Sequence, residues 1–487
     1  MPIKLCFQVL LWYFLSMKNE ETFFWYDLET FGLNPFYDRI AQFAGQRTDT
    51  DLNPIGDPVI LYCRLSADYM PDPAACMVTG ITPKIVKDKG LPESEFIEKI
   101  NDIFSVPGTC VCGFNSIKFD DEFIRNALYR NFLDPYQREW KNGNSRWDII
   151  DLVRACHDFR PQGINWPAPS DKGNPVFKLT ELTAANNIEQ IGAHDAMVDV
   201  NATIAVARLI REKNPKLFDY YLKLRSKIRV RDMLNPQDTP RPVLHTCASF
   251  TNPNGCTSMI VPITPHVKNE NTIVCFDLRQ DIAPLLCAKA EDIFRTPGVI
   301  RVAVNRVPFL ADINTLRDQD YERLGIDKKL CMSRYDEIIR HRSELIIKVR
   351  SNDKDEYDNP DDVDFQIYSK FFSDYDKKLF SVIRKTPPEQ RLNLKLNFED
   401  PRCPQMLWRH VCRNYPRLLS DEDLKKWKSF SSTRLLSPPG NPINDINFVA
   451  RKIDERLADT SLEPKSKQVL AELKDYLLQL KRYVGLN

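Results

Sequence analysis

Residues 22–29, with the sequence TFFWYDLE, decide the fold class of this chain. The four consecutive aromatic residues at 23–26 predict a buried β-strand. Asp27 and Glu29 follow two positions apart, and residues i and i+2 of a strand point to the same face. The sequence therefore predicts two carboxylates side by side at the end of a buried strand.

Two carboxylates in a shielded position repel each other unless a cation lies between them. Oxygen ligands of this kind suit Mg²⁺ or Mn²⁺. The pair Asp27 and Glu29 is a weak signal when taken alone, because a solvated turn after a strand has the same composition. Whether the pair binds a metal ion depends on whether other parts of the chain provide further ligands.

Later segments supply three more candidate groups. Asp120 follows the run GFNSIKF at 113–119 and opens a predicted helix, where the helix dipole favours an anion. His194 precedes a second predicted helix, and Asp199 lies five residues further along, inside it. Each has a plainer interpretation when taken alone: a helix cap for Asp120, and a solvated surface position for the other two.

The order of the predicted elements around these residues indicates the fold class. Strands lead and helices follow, which is typical of an α/β or α+β domain. Hydrophobic periodicity predicts strands over 22–27, 41–49, 59–65 and 109–114, a turn at 53–56, and helices over 93–104, 120–131, 148–156 and 195–211.

The character of the chain changes near Lys213. Residues 213–231 carry seven basic residues and one acidic residue, and several prolines follow. A smaller, mainly β domain and then a mainly helical one are predicted beyond this point. The sequence predicts strands over 257–262, 272–278 and 299–305, an acidic linker over 351–365, and helices from 366 to a last one over 465–483.

The composition limits the class of protein. A length of 487 residues suits about three domains, and 43% hydrophobic with 28% charged residues is a globular composition. Lys and Arg number 68 and Asp and Glu 67, so a net charge of +1 excludes nucleic-acid binding by bulk charge but not by a local basic groove. The 13 cysteines include no CxxC pair, which favours reduced, buried thiols in a cytoplasmic protein.

The N-terminal residues are interpreted separately. Ten of the eleven residues at 5–15 are apolar, but the run is too short to span a bilayer and no signal-peptidase site follows. A start at Met17 would lead directly into the first strand, so we expect residues 1–16 to be an upstream extension of the gene. A packing segment and a membrane-targeting segment are the alternatives.

The carboxylates and the histidine, in the order Asp27-x-Glu29, Asp120, His194-x₄-Asp199, resemble the DEDDh (DnaQ-like) family of 3′–5′ exonucleases. The runs DLETFGL at 27–33, DRIAQF at 38–43 and TGIT at 79–82 add to the resemblance. It implies a ribonuclease-H-like fold in which the four carboxylates hold two Mg²⁺ ions, with Mn²⁺ as a substitute. It also implies that His194, neutral near pH 7, is the general base and that 5′-mononucleotides are released.

Other runs are similar to the bacterial exodeoxyribonuclease I family, namely NSRWD at 144–148, RPQGINWP at 160–167 and FFSD at 371–374. This similarity implies a processive nuclease for single-stranded DNA in repair and recombination, monomeric, cytoplasmic and without a membrane. It also implies a partner, the C-terminal tail of single-stranded-DNA-binding protein, whose carboxylate Arg160 would take. The implied division is an N-terminal extension 1–21, a DEDDh nuclease domain 22–212, an SH3-like domain 213–360 and a helical domain 361–487.

Binding a single strand requires cations for phosphates and aromatic faces for bases. The family places Arg where Lys178 stands, and Lys lacks the bidentate fork of Arg. Plain packing is the alternative interpretation for Tyr136 and Trp140. The candidate substrate-binding residues that the resemblance implies are Glu29, Arg125, Tyr136, Trp140, Arg154, Arg160, Phe177 and Lys178.

Three rival functions share parts of this pattern. An RNA exonuclease of the same superfamily would use the same carboxylates, but its relatives are essentially bare nuclease domains. A polymerase proofreading subunit would not need so long a C-terminal half. A non-catalytic module that binds single-stranded DNA would not need all five catalytic positions, which are filled here.

Overall fold

A computed structural model describes residues 21–190, 195–237, 239–351, 360–440 and 445–486. Residues 1–20 of the predicted extension and His194 lie outside the described residues. The described elements occur in the predicted order, with a mixed sheet and its helices, then an antiparallel sheet, then a group of helices.

The first domain is built on a five-stranded mixed sheet. Its strands are β1 (Thr22–Thr30), β2 (Ile40–Thr48), β3 (Pro54–Tyr62), β4 (Thr109–Gly113) and β5 (Ser145–Asp148). The strand order is β3-β2-β1-β4-β5, with β1 antiparallel to β2 and parallel to β4, and β4 parallel to β5. This is the ribonuclease-H-like arrangement that the sequence predicted.

Helices cover both faces of this sheet because β1 alternates its aromatic side chains between two apolar clusters. Phe23 and Trp25 pack with helix α7, and Phe24 and Tyr26 pack with α3 and α4. The helices of the first domain are α1 (Pro73–Thr79), α2 (Pro83–Lys89), α3 (Glu93–Phe104), α4 (Asp120–Arg130), α5 (Ile150–Phe159), α6 (Leu179–Ala185) and α7 (Ala196–Lys213). Helices α8 (Pro215–Lys223) and α9 (Lys227–Met233) follow and lead into the second domain.

The second domain contains a five-stranded antiparallel sheet with the order β10-β6-β7-β8-β9. Its apolar side is continuous with the core cluster of the first domain, so the two domains share buried surface. The elements are β6 (Val243–Thr246), β7 (Thr257–Pro265), β8 (Thr272–Asp277), α10 (Ala283–Cys287), β9 (Val299–Ala303), β10 (Phe309–Asp312), α11 (Asp318–Arg323), α12 (Lys328–Arg340) and α13 (Arg342–Ser351).

The third domain is helical and folds back onto the first. Its last helix buries an apolar stripe that includes Leu470 and Leu473, in a cluster with Tyr37 and Tyr69 of the first domain. The helices are α14 (Asp374–Lys385), α15 (Cys403–Asn414), α16 (Asp421–Leu436), α17 (Ile446–Leu457) and α18 (Pro464–Val484). Short 3₁₀ segments, such as Val363–Tyr368, connect the longer elements.

Two local predictions in the first domain were wrong. The turn predicted at 53–56 lies at 49–53 instead, because the Asp49 carboxylate accepts hydrogen bonds from the backbone N–H groups of Asp51 and Asn53. The helix predicted from Asp148 begins at Ile150, because residues 145–148 pair with β4 as a strand. A four-residue strand is too short to show a period of its own.

Two strands of the second domain, β6 and β10, were not predicted. Each has four residues, and they are neighbours in the sheet.

Among the described residues, no helix is long and apolar enough to cross a membrane. The cysteines in the described ranges are all free thiols, and most of them are buried.

Candidate active site

The end of β1 and the first turn of α7 bring three carboxylates together. Asp27, Glu29 and Asp199 each offer an oxygen, and these oxygens lie within 4.8 Å of one another. The first two share one face of β1, as their spacing predicted. Asp195 caps α7 by accepting a hydrogen bond from the backbone N–H of Met197 at 3.0 Å, which sets where the helix begins and hence where Asp199 points.

Asp120 lies beside this trio at the first residue of α4. Its Oδ1 accepts a hydrogen bond from the backbone N–H of Leu28 at 3.2 Å, which places it next to the strand that carries Asp27 and Glu29. Burial raises the pKa of Asp120 well above its ordinary value, and the charge of Asp27 raises it further.

The trio is electrostatically strained without a counter-charge. Burial, followed by the charge of Asp199, raises the pKa of Asp27 well above its ordinary value. Burial, followed by the charges of Asp27 and Asp199, raises the pKa of Glu29 to about 9. A cluster of hard oxygen donors whose negative charges repel one another fits a divalent cation of the Mg²⁺ type.

Asp148 shapes the loop that leads to Asp120. Its carboxylate accepts hydrogen bonds from the backbone N–H groups of Asn115 at 2.8 Å and Ile117 at 3.1 Å. Asn115 adopts a positive φ of 64°, a conformation that Asn tolerates better than most residues. Sequence reasoning missed this supporting role, since Asp148 was interpreted only as the start of a helix.

Asp121 was also missed as a structural residue. Its carboxylate lies 2.7 Å from both Arg138 and Arg146 and accepts a hydrogen bond from the Tyr26 hydroxyl at 2.7 Å. Burial alone would raise the pKa of Asp121, but the two guanidinium groups hold it below its ordinary value. Asp120 and Asp121 are adjacent in the sequence, and nothing local shows which of them joins the trio.

Gln190 contacts the trio directly and was not predicted. Its amide donates a hydrogen bond to Asp199 Oδ1 at 2.5 Å, and its carbonyl accepts one from the Thr183 hydroxyl at 2.6 Å. A glutamine in a loop has no periodic or compositional signal, so the sequence could not reveal this contact. The general-base prediction for His194 falls outside the described residues, although Gln190 and Asp195, which flank residues 191–194, both lie at the site.

One group of predicted substrate-binding residues lies between α4 and the third domain. Arg125 is buried and binds Glu122 at 2.9 Å and Glu139 at 2.8 Å, and its guanidinium lies over the Tyr136 ring. Tyr136 meets Phe371 edge-on at 5.7 Å, and Trp140 is 66% exposed. Trp140 is therefore available at the surface, whereas Tyr136 is half-buried and Arg125 is already ion-paired.

A second group lies on α5 and the segment before α6. Arg154 binds Asp151 and lies over the Phe177 ring at 5.9 Å. Phe177 packs edge-on against His157 and Trp166, at 5.4 Å and 6.3 Å. This arrangement presents a cation and partly buried rings on one side of the first domain.

The last two predicted residues differ in environment. Arg160 donates hydrogen bonds to the carbonyls of Phe159 and, at 3.2 Å, Thr315, so it links the first and second domains. The Lys178 side chain is 75% exposed and lies 3.3 Å from Glu181. For all of these residues, the role in binding the substrate stays a prediction.

The sheet order and the carboxylates at the end of its central strand define the class of protein, a ribonuclease-H-like exonuclease. Family models match all three parts of the chain: Exonuclease over residues 24–207, Exonuclease I SH3-like domain over 225–352, and Exonuclease I C-terminal domain over 361–480. The chain belongs to the exodeoxyribonuclease I family and is a 3′–5′ exonuclease.

Relatives match almost the full length. Exodeoxyribonuclease I of Haemophilus influenzae is 41% identical over 438 residues, covering 86% of this chain and 92% of the relative. Escherichia coli exonuclease I, solved with a dA16 oligonucleotide, superposes with a TM-score of 0.88 at 36% identity, covering 95% of this chain and 100% of that one. A structure of SSB and exonuclease I with an inhibitor gives a TM-score of 0.86 at 35% identity, with coverages of 95% and 100%.

Proposed function

We propose that this protein is an exodeoxyribonuclease I that removes 5′-mononucleotides processively from the 3′ end of single-stranded DNA, in DNA repair and recombination. The observation that carries the proposal is the trio Asp27, Glu29 and Asp199, whose oxygens lie within 4.8 Å of one another. The oligonucleotide complex of the Escherichia coli relative supports single-stranded DNA as the substrate.

The carboxylates would hold two Mg²⁺ ions, with Mn²⁺ as a substitute. Asp27, Glu29 and Asp199 are the direct ligands, and Asp120 is a direct or water-mediated one. When bound, such ions favour ionisation of water and stabilise negative charge on the leaving 3′-oxygen. The raised pKa values of Asp27 and Glu29 support this assignment, because a cation offsets the two effects that raise them, the burial of the charges and the repulsion between them.

The protein's own residues then orient the groups that react. Gln190 holds Asp199 in place, and the Leu28 N–H holds Asp120. His194 accepts the proton of the attacking water, which requires a neutral imidazole. Activity should therefore fall below about pH 6.5. A rate that stays constant down to about pH 5 would contradict the base role of His194.

The substrate would run over the rings and cations described above, from Trp140 and Tyr136 to Phe177 and Lys178. We place the domain boundaries after residues 212 and 360 and expect the second and third domains to enclose the strand.

We also propose that the protein is a cytoplasmic monomer and that Arg160 binds the terminal carboxylate of single-stranded-DNA-binding protein. The SSB complex of a relative supports that partner.

The deciding experiment uses purified protein, Mg²⁺ and a 5′-labelled single-stranded oligonucleotide, with matched duplex DNA and RNA. We expect shortening of the single-stranded DNA from its 3′ end, abolished by EDTA and by Asp199→Ala. RNA degraded as fast as DNA would favour the exoribonuclease alternative. Tight binding without turnover would mean that the protein is a binding module.

A further inference from the structure

Two cysteines lie just beyond the paired ends of β6 and β7 in the second domain. Thr246 of β6 pairs with Thr257 of β7, so Cys247 and Cys256 are the next opposed positions, and the Cys247 N–H donates to the Cys256 carbonyl at 3.0 Å. A backbone hydrogen bond between opposed residues holds their Cα atoms about 5.5 Å apart. That separation lies within the range that a disulfide spans, and both residues are free thiols.

The two thiols have different surroundings. Cys247 is partly exposed, whereas Cys256 is fully buried. Burial alone would raise the pKa of Cys247, but the charge of His245 and hydrogen bonds from His245 and the Ser249 N–H lower it below its ordinary value. Burial raises the pKa of Cys256 to about 12. One thiol is therefore suited to nucleophilic attack and the other is held in the neutral form.

His245 is positioned to assist Cys247. The two residues are two positions apart on an extended segment and so share its face. The His245 Nδ1 lies 2.9 Å from the Phe309 carbonyl, which can only accept, so Nδ1 carries the hydrogen. The other ring nitrogen is left for the Cys247 thiol, whose pKa the charge of His245 lowers against the effect of burial.

This pair lies where the second domain contacts the first. The Cys256 N–H donates to the Asp158 carboxylate of α5 at 2.7 Å, and the Thr257 hydroxyl donates to the same oxygen at 2.6 Å. A covalent bond between residues 247 and 256 would close the loop beside this domain contact.

We propose that Cys247 and Cys256 form a peroxide-sensitive thiol pair, in which Cys247 reacts first and Cys256 resolves. The Cys247 thiolate attacks one oxygen of hydrogen peroxide, the O–O bond breaks, hydroxide leaves and a sulfenic acid forms. The Cys256 sulfur then attacks that sulfur as its proton passes to the leaving oxygen, the S–O bond breaks, and water leaves as the disulfide forms. In sum, two thiols and one hydrogen peroxide give one disulfide and two waters.

Two other sites in the chain provide internal controls. Cys110 and Cys112 have their sulfur atoms 3.8 Å apart, but both are fully buried on one strand, so we expect them to remain reduced. Cys287 is exposed and is therefore the reference for simple solvent access. The inference concerns thiol chemistry, and its test does not depend on nuclease activity.

The test treats the full-length protein with increasing hydrogen peroxide and maps its peptides without reduction. We expect a linked peptide joining residues 247 and 256 to form before Cys287 is oxidised and to disappear with dithiothreitol. Cys247→Ser should leave Cys256 reduced. Cys256→Ser should leave Cys247 as a sulfenic acid that dimedone traps.

His245→Asn tests the assisting role, with circular dichroism confirming that the variant is folded. It should slow formation of the linked peptide by roughly tenfold, the change in thiolate fraction that one unit of thiol pKa produces. Absence of the linked peptide, or faster oxidation of Cys287 than of Cys247, would overturn the proposal. An unchanged rate in a folded His245→Asn would overturn the role of His245.

Discussion

At the scale of single residues, the proposed function depends on negative charges that the fold brings together. Asp199 completes the trio with Asp27 and Glu29. Asp199→Asn should lower the cleavage rate by about a thousandfold, since a metal site supplies several kcal/mol of charge stabilisation, while oligonucleotide binding persists. Single-turnover cleavage and fluorescence anisotropy measure the two quantities. Asp195→Asn is the matched control, because Asn caps a helix as well as Asp does.

The raised pKa of Glu29 predicts the pH response of the metal-free protein. That pKa rises from 4.5 to about 9 on folding, through burial and the neighbouring charges, so the folded chain keeps a proton that the unfolded chain releases. This contribution to stability therefore falls as the pH rises between those values. In EDTA, Glu29→Gln should raise the melting temperature by several degrees near about pH 8 and change it little near about pH 4. Equal shifts at both pH values would contradict this account.

Gln190 offers a test of positioning rather than ligation. Removing its hydrogen bond to Asp199 in Gln190→Ala should cost about 10- to 100-fold in rate or in metal affinity, as for other residues that hold a ligand. Metal titration of single-turnover cleavage separates the two effects. Wild-type cleavage at every metal concentration would show that the contact has no role.

At the scale of elements, α4 combines a site residue with a structural one. Asp121 is buried between Arg138 and Arg146, and removing one member of a buried ion pair leaves charges without partners. Asp121→Asn should lower the free energy of unfolding by about 3–5 kcal/mol, measured by urea denaturation. Asp134→Asn, whose partner Lys377 lies 3.8 Å away near the surface, should cost no more than about 1 kcal/mol.

The pH dependence of Asp121 has the opposite sign to that of Glu29. The two arginines hold its pKa below the ordinary value against the effect of burial. Asp121 therefore stabilises the folded protein fully at pH values above its ordinary pKa. This stabilisation is lost as the pH falls through its lowered pKa in the folded state. Asp121 therefore makes the folded protein less stable at low pH. Glu29, when no metal is bound, makes it less stable at high pH.

At the scale of the whole molecule, buried ion pairs hold the third domain to the first. Arg413 of α15 lies 2.7 Å from Asp68 of the first domain and 2.5 Å from Asp364. The Thr82 hydroxyl donates to Glu472 of α18 at 2.7 Å. These contacts explain why the third domain packs against the first domain, although the second domain lies between them in the sequence.

Glu122 is a point at which all three domains meet. Its carboxylate lies 3.2 Å from Arg306 of the second domain and accepts a hydrogen bond from the Tyr368 hydroxyl of the third. If this junction keeps the domains closed around the strand, Arg306→Gln and Tyr368→Phe should shorten the tract degraded per binding event severalfold. The rate of the first cleavage should stay unchanged.

A trap of excess unlabelled DNA measures that tract length. Tyr375→Phe is the matched control, since it removes a hydroxyl from another partly exposed tyrosine of the third domain. Equal tract lengths in Tyr368→Phe and Tyr375→Phe would show that the junction does not govern processivity.

The sequence by itself determined the class and order of the elements and the spacing of Asp27 and Glu29. These properties are local: an aromatic run specifies a buried strand, and the period of two places both carboxylates on one face. Short strands such as β5, β6 and β10 were missed because four residues carry no period.

Only the tertiary structure decided which distant groups meet. It brought Asp199 to β1, directed Asp121 to two arginines rather than to the trio, and ion-paired Arg125. It also joined Gln190 to Asp199 and brought the backbone of Cys247 beside that of Cys256. Periodicity records which face of an element is buried but not which partner covers that face, so these contacts depend on packing between segments far apart in the chain.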